Sequence, residues 1–331
     1  MQNPEQRNQG KEEKPGKVHG LVLAPVGSYP SMVTQYGISI IGAGRVGRSL
    51  GRSLRERGWK IHAVVTQNQS TARRAVRAIG NGRAQVTITR DVFLAAVVLI
   101  SVPDAAIDQV VAQLAAFGEE ELRRRIILHT SGALSSEVLA PLRALGATVG
   151  SFHPLQSFSG IGSADLEGNL VALEGDVPAV RLSRSMARGL GAHPVILRSA
   201  TKPLYHAAAS ISAGHVLALM EAAVNLFVSV GIKRREALLA LLPLTRRVLE
   251  NQERLGARAA WTGPLARGDY SVVAAHEAAL SKYPDEYLIA YRALNQLAAR
   301  VLSPDSERVL SALKQISDQD ASNSKAKGAS A

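Results

Sequence analysis

Eight histidines and no cysteine bound the chemistry open to this 331-residue chain. In "KPLYHAAASISAGH", Lys202 and His206 stand one turn apart and share a face of an expected helix. An ammonium held beside a carbonyl can donate a proton, or stabilise the oxyanion that forms when hydride reaches the carbon. Lys202 and His206 are therefore catalytic candidates. The Ala, Ser and Gly residues that follow would let another backbone or a ligand approach closely. Two more histidines close strand-like runs: His129 in "IILHTSGAL", ahead of Thr130 and Ser131, and His153 in "TVGSFHPLQSF". His153 joins the catalytic set, and His129, Ser131 and His153 form a substrate-binding set. In "WTGPLARGDYSVVAAHEAAL", Arg267 offers a fork for a substrate carboxylate, and His276 in the next helix completes that set. Without cysteine there are no disulfides or thiolate metal sites, and no two histidines stand at His-x-x-x-His spacing, so no metal is expected.

A different constellation lies near the start. "ISIIGAGRVGRSL" sets Gly42, Gly44 and Gly47 in G-x-G-x-x-G register after a strand pattern and at the start of a helix, with Ala43, Arg45 and Val46 between them. Such glycines permit a tight turn, close approach to a pyrophosphate, and close packing of helix on strand, so this segment is expected to hold a dinucleotide. The second strand runs into "VVTQNQSTARRA", which has no acid to accept ribose hydroxyls. Thr66, Asn68, Ser70, Arg73 and Arg74 suit a 2′-phosphate instead, and NADP is the expected cofactor. "VVLISVPDAAI" places Ser101, Val102 and Pro103 at the carboxyl end of another strand, on the nicotinamide side, with Asp104 as a helix N-cap.

Positioning these groups requires a sheet. From about residue 37, apolar runs of strand length alternate with helical patterns to about 198, the signature of βαβ units. Beyond that only helices are expected, at 202–230, 233–255, 271–281, 285–301 and 306–316. The predicted fold is an α/β Rossmann domain with a mostly parallel doubly wound sheet over 35–200, followed by an all-α domain over 201–318. The polar, aperiodic tails 1–34 and 319–331 are expected to be disordered.

Thirty-nine Lys and Arg against 27 Asp and Glu give a net charge of +12. The arginines are scattered through helical patterns with little aromatic interleaving, so solvated helix faces are expected rather than a nucleic-acid footprint. The same field favours a small anionic substrate. No apolar run suggests a membrane span and the N-terminus has no secretory pattern, which points to a cytoplasmic chain without membrane contact. Helix 202–230 is apolar on more than one side, expected to be covered either in a homodimer through the helical domain or inside that domain.

Together, "GAGRVG", "ISVPD", "HTSGAL", "FHPLQSF", "KPLYHAAA" and "TGPLARGD" resemble a family of two-domain Rossmann oxidoreductases related to the 6-phosphogluconate dehydrogenase and ketopantoate reductase group. The resemblance covers about residues 37 to 302. Ketopantoate reductases carry a lysine at the start of the helical domain and an asparagine four residues on. Lys202 matches the lysine, and His206 stands where the asparagine would. The resemblance implies NADPH-dependent reduction of a small 2-keto acid, ketopantoate first. His153-Pro154 is similar to a motif of prephenate dehydrogenases, which leaves a prephenate-like or imine substrate as an alternative, and a non-catalytic NADP-binding sensor as another.

Overall fold

A computed structural model describes residues 37–158 and 166–328, with side chains through Asp318. The expected tail 1–34 and residues 329–331 lie outside the described residues. Eight strands form one sheet: β1 (Ile38–Ile41), β2 (Ile61–Val65), β3 (Arg83–Gln85), β4 (Val97–Ile100), β5 (Ile126–His129), β6 (Thr148–Pro154), β7 (Leu170–Gly175) and β8 (His193–Ile196). Their order is β3-β2-β1-β4-β5-β6-β7-β8, parallel throughout except for the antiparallel pair β6 and β7. The order reverses between β1 and β4, and an open α/β sheet offers a crevice at the carboxyl ends of strands at such a switch point. This is the predicted Rossmann architecture.

Both sheet faces are covered, which explains why β1 and β4 are fully buried and read as unbroken apolar runs. Ile38 and Ile40 pack with Leu50 and Leu54 of α1 (Arg45–Glu56) on one side. Ile41, Val98 and Ile100 pack with Ile107 and Leu114 of α3 (Ile107–Ala115) on the other. Helices α2 (Gln69–Ile79), α4 (Gly118–Leu122), α5 (Ala140–Ala144) and α6 (Val177–Gly189) complete the layers.

The chain divides into two compact units, one ending at Ala209 and the other beginning at Ser210. The division therefore falls inside the helical stretch that opens at Lys202, rather than at the 200/201 boundary read from the sequence. That stretch comprises α7 (Lys202–Ser210), a π-helical turn at Ile211–His215, and α8 (Val216–Ser229). By length and composition, Ser199–Ser229 is long and apolar enough to cross a membrane. The sequence expectation of no such run is corrected here; His206, His215 and the Ala/Ser/Gly turns dilute the signal to the eye. Its first turns bond to the sheet's own loops, as the site below shows.

The second unit holds α9 (Arg234–Leu255), α10 (Ala257–Ala260), α11 (Pro264–Arg267), α12 (Tyr270–Leu280), α13 (Asp285–Leu302) and α14 (Ser306–Gly328). Its core is small: Leu265, Val273, Ala299, Val309, Leu313 and Ile316. Only Val224 is buried on α8 and only Ala237 on α9, so burial inside the helical domain does not cover the apolar faces of these helices. The expected tail from 319 is also corrected, because α14 continues to Gly328. It carries no apolar stripe there, yet no proline or glycine interrupts 318–327 to end the helix.

Candidate active site

The glycine turn meets each requirement set for it. Gly42 has φ +88°, and a Cβ there would lie 2.4 Å from the Ser101 carbonyl oxygen, so both conformation and space demand glycine. A Cβ on Gly47 would lie 2.2 Å from the Gly42 carbonyl, which is the close helix–strand packing expected. At Gly44 a Cβ would meet nothing within 4 Å, leaving open space where the chain enters α1. Helix α1 has Gly44 as N-cap and no side-chain cap, so its first N–H groups are free to face an anion.

A cavity of about 700 Å³ opens here, lined by Gly42, Ala43, Gly44, Thr66, Ser101, Pro103 and neighbouring residues. Val102 also lines it. Arg45 is exposed at the first position of α1, and Val46 is half-buried behind it. Asn68 caps α2, its Oδ1 accepting from Thr71 N and Ser70 Oγ, both at 2.9 Å. Thr66 and Asn68 reach the cavity wall; Ser70 and Arg73 stand exposed on the first turns of α2, outside the lining. No acid occurs on this wall.

Two hydrogen bonds tie this crevice to the histidine-bearing strands. Thr130 Oγ1 donates to Ser101 Oγ at 3.3 Å, and Ser131 Oγ donates to Asp104 at 2.9 Å. Asp104 thus receives a serine hydroxyl rather than capping a helix, its expected task; the turn that begins there has no side-chain cap. Ser131 Oγ also accepts from Ala133 N and Leu134 N, which fixes the turn after β5.

His129 is corrected from ligand to scaffold. It is fully buried, its Nε2 pairs with the Ser135 carbonyl at 3.2 Å, and its Nδ1 accepts from Ser131 N at 3.2 Å. Both ring nitrogens are occupied, so none is left for a substrate. Burial, reinforced by the Lys202 charge, pulls its pKa down to about 3, and the ring is neutral. Ser131 is likewise a 7 % exposed structural group, its hydroxyl spent on the turn it organises.

Lys202 is 1 % exposed. Its Nζ donates to the Ser131 carbonyl at 3.0 Å and, by a short contact, to Ser151 Oγ. Burial lowers its pKa to about 8, while Glu174 and then Asp104 pull the other way. The ammonium thus bonds to the carbonyl of Ser131, and the next residue, Gly132, lies against the rings. A Cβ on Gly132 would fall 2.5 Å from His206 Cδ2 and 2.7 Å from His153 Nε2. The two histidine rings meet edge to face at 5.8 Å, both half-buried.

Sequence reasoning missed Tyr205, Ser151 and Glu174. Tyr205 OH pairs with His153 Nδ1 at 2.9 Å, and burial raises the phenol to about 12. Burial, then the Lys202 charge, lowers His153 to about 4, so this ring is neutral too. His206 has no hydrogen-bond partner among the described residues. The remaining candidates lie in the second unit. Arg267, 63 % exposed, pairs with Asp269 at 2.9 Å at the end of α11 rather than in an open loop. His276 is exposed on α12 and its Nδ1 pairs with Tyr291 OH at 2.8 Å. Among the described residues no group of three potential ligands could hold a metal.

Residues 30–154 match the model of a Rossmann-like domain, and residues 169–298 match a domain of unknown function, DUF2520. No curated protein matches the sequence. Among solved structures, a provisionally assigned NADP oxidoreductase from Bacteroides fragilis superposes with a TM-score of 0.65 at 19% identity, covering 79% of this chain and 97% of the other. A reductive aminase from Aspergillus terreus, in complex with NADPH and ethyl-5-oxohexanoate, gives 0.62 at 16%, covering 80% and 94%. An imine reductase from Pseudomonas sp. gives 0.58 at 19%, covering 84% and 99%. At these identities the likeness is one of fold: a Rossmann-like domain followed by helices.

Proposed function

We propose that the chain is an NADPH-dependent oxidoreductase that reduces the carbonyl of a small 2-keto acid, with ketopantoate the first compound to test. The observation that carries this is the hydrogen-bonded path from the glycine-turn cavity, through Ser101–Thr130 and Asp104–Ser131, to a buried ammonium at the turn that packs on two half-buried histidines. In this assignment Gly42, Gly44 and Gly47 receive the pyrophosphate, and Thr66, Asn68 and Arg73 receive the 2′-phosphate. NADPH, when bound, supplies the hydride. The NADP oxidoreductase and the NADPH-bound reductive aminase among the fold neighbours support that cofactor.

Charge favours oxygen as the atom that gains electrons. The site offers a buried cation and the neutral ring of His153, while Glu174 is enclosed and Asp104 already accepts from Ser131. A developing oxyanion beside His206 and His153 is stabilised by Lys202, whereas an iminium cation would be repelled. His206 and the Tyr205–His153 pair are the half-buried groups that deliver the proton to that oxygen. One observation favours a second reading, reduction of a C=N bond: two of the fold neighbours are a reductive aminase and an imine reductase.

The test is twofold. Calorimetry should show NADPH binding more tightly than NADH. NADPH should then be oxidised with ketopantoate or another 2-keto acid, and Lys202→Met should remove most of kcat. Turnover confined to cyclic imines would select the second reading. Tight NADPH binding without turnover of any compound in either class would leave only a nucleotide sensor.

We propose further that the second unit forms a homodimer. Ile211, Leu217, Leu239, Leu244, Ile289 and Val301 are each more than half exposed, on three different helices and the π-helical turn. A monomer seldom leaves so many large apolar side chains on one unit.

A further inference from the structure

Three adjacent strands each place one buried polar residue on the same line across the sheet. His129 of β5 is the registered partner of Ser151 of β6, and Ser151 is the registered partner of Glu174 of β7. Registered neighbours project to the same face, and all three residues are buried. Lys202 lies against this row through its bond to Ser151 Oγ. Of the row, His129 is neutral and Ser151 cannot ionise, so Glu174 alone can supply charge.

The carboxylate of Glu174 is 4 % exposed. One oxygen accepts from Ser136 Oγ and Ser199 Oγ, and the other from Ser136 N, all at 2.7 Å. Those donors solvate the charge without neutralising it. Ser199 belongs to the turn that leads directly into Lys202, so the same carboxylate also anchors the start of α7. A buried carboxylate without a cation, and a buried ammonium without an anion, are each expensive.

We infer that Glu174 is the buried counter-ion of Lys202 and a positioning residue for the site: it keeps the ammonium charged at the Ser131–Gly132 turn and fixes the turn that delivers the lysine. Its catalytic consequence rests on the reductase proposal; the charge pairing does not. Two ionisable groups act on Lys202, Glu174 from β7 and Asp104 from the turn after β4, while His129 of β5, His153 of β6 and His206 of its own helix are the histidines nearby. Glu174 is the largest of the influences that raise the lysine's pKa against the pull of burial. Lys202 in turn depresses His129 and His153.

Glu174→Gln removes the charge and keeps the shape, since the amide oxygen can still accept from Ser136 N and the serine hydroxyls can rotate to accept from its NH₂. The full chain, labelled with [ε-13C]lysine, would be titrated by NMR, with the Lys202 signal identified by its loss in Lys202→Met. The Lys202 midpoint should move to lower pH by about one unit or more in Glu174→Gln. Under the reductase proposal, the alkaline limb of kcat should move with it. An unmoved Lys202 midpoint in folded Glu174→Gln overturns the pairing. If Glu174→Gln does not fold, the double variant Glu174→Gln/Lys202→Met should fold, because it no longer buries an unmatched charge; a double variant equally unable to fold overturns the pairing. A shifted midpoint in a protein that reduces nothing would sink the reductase and leave the pair standing.

Discussion

Gly132→Ala tests the histidine pair directly. Gly132 is buried, and its φ lies outside the left-handed region, so alanine meets no backbone strain. What it meets is contact: the new methyl would stand 2.5 Å from His206 Cδ2, and 2.7 and 2.9 Å from His153 Nε2 and Cε1. Carbon atoms rest at roughly 3.5–4.0 Å, so the rings must retreat by about 1 Å. Overpacking of this kind costs about 1–3 kcal/mol of stability, which a folded domain can survive. A misplacement of about 1 Å at reacting groups costs on the order of 100-fold in rate. Steady-state kinetics with the best substrate should therefore show kcat/KM falling by about two orders of magnitude, while the NADPH Kd stays at its wild-type value and thermal unfolding stays cooperative. Wild-type kinetics in the folded variant would show that neither ring works at the reacting atoms.

Other expectations follow from the same geometry. With a folded pKa of about 8, Lys202 should lose its proton, and kcat should fall, as pH rises through that value. Because its unfolded pKa is 10.5, the unfolded chain holds the extra proton between about 8 and 10.5, so denaturant-measured stability should gain a rising contribution across that window. His129 works at the other end: held near 3 when folded against 6.5 unfolded, it should cost stability as pH falls from 6.5 towards 3, and His129→Gln should flatten that slope in acid unfolding curves. Gly42→Ala, strained at φ +88° and blocked by Ser101, should weaken NADPH binding by about tenfold or more in calorimetry. Arg73→Ala should weaken NADPH and leave NADH unchanged. Sedimentation should find a dimer that Leu217→Glu with Leu239→Glu reduces to monomers; a wild-type monomer, or particles recovered only with detergent, would count against that interface.

The fold was legible because both periodicities were clean. Strand-length apolar runs separated by helical patterns located β1, β2 and β4 to within a residue or two, and the glycine turn between β1 and α1 marked the crevice. The site was legible only in part. His153, His206 and Lys202 are visible as chemistry-bearing residues at element ends, but burial is not, so His129 reads as a ligand and the enclosure of Lys202 goes unseen. Glu174 in "LVALEG" stands out as the acid in an apolar strand, yet nothing local says what it faces. Its partner follows from the antiparallel β6–β7 register, a long-range fact that single-strand patterns do not carry. Tyr205 lay one residue from His206 and reaches His153 only because α7 folds back on the end of β6. The helix beyond 318 escaped notice because a polar helix has no apolar stripe to read.

The proposed reaction is hydride delivery to a carbonyl carbon at the edge of the glycine-turn crevice, beside His153 and His206. It is tested most directly by incubating the purified chain with NADPH deuterated at the nicotinamide C4 and ketopantoate or a related 2-keto acid, and locating the label in the product by mass spectrometry. The expected result is one deuterium on the carbon that bears the new hydroxyl, lost with Lys202→Met. Intact deuterated NADPH across all the 2-keto acids, or label transfer indifferent to Lys202→Met, would contradict it.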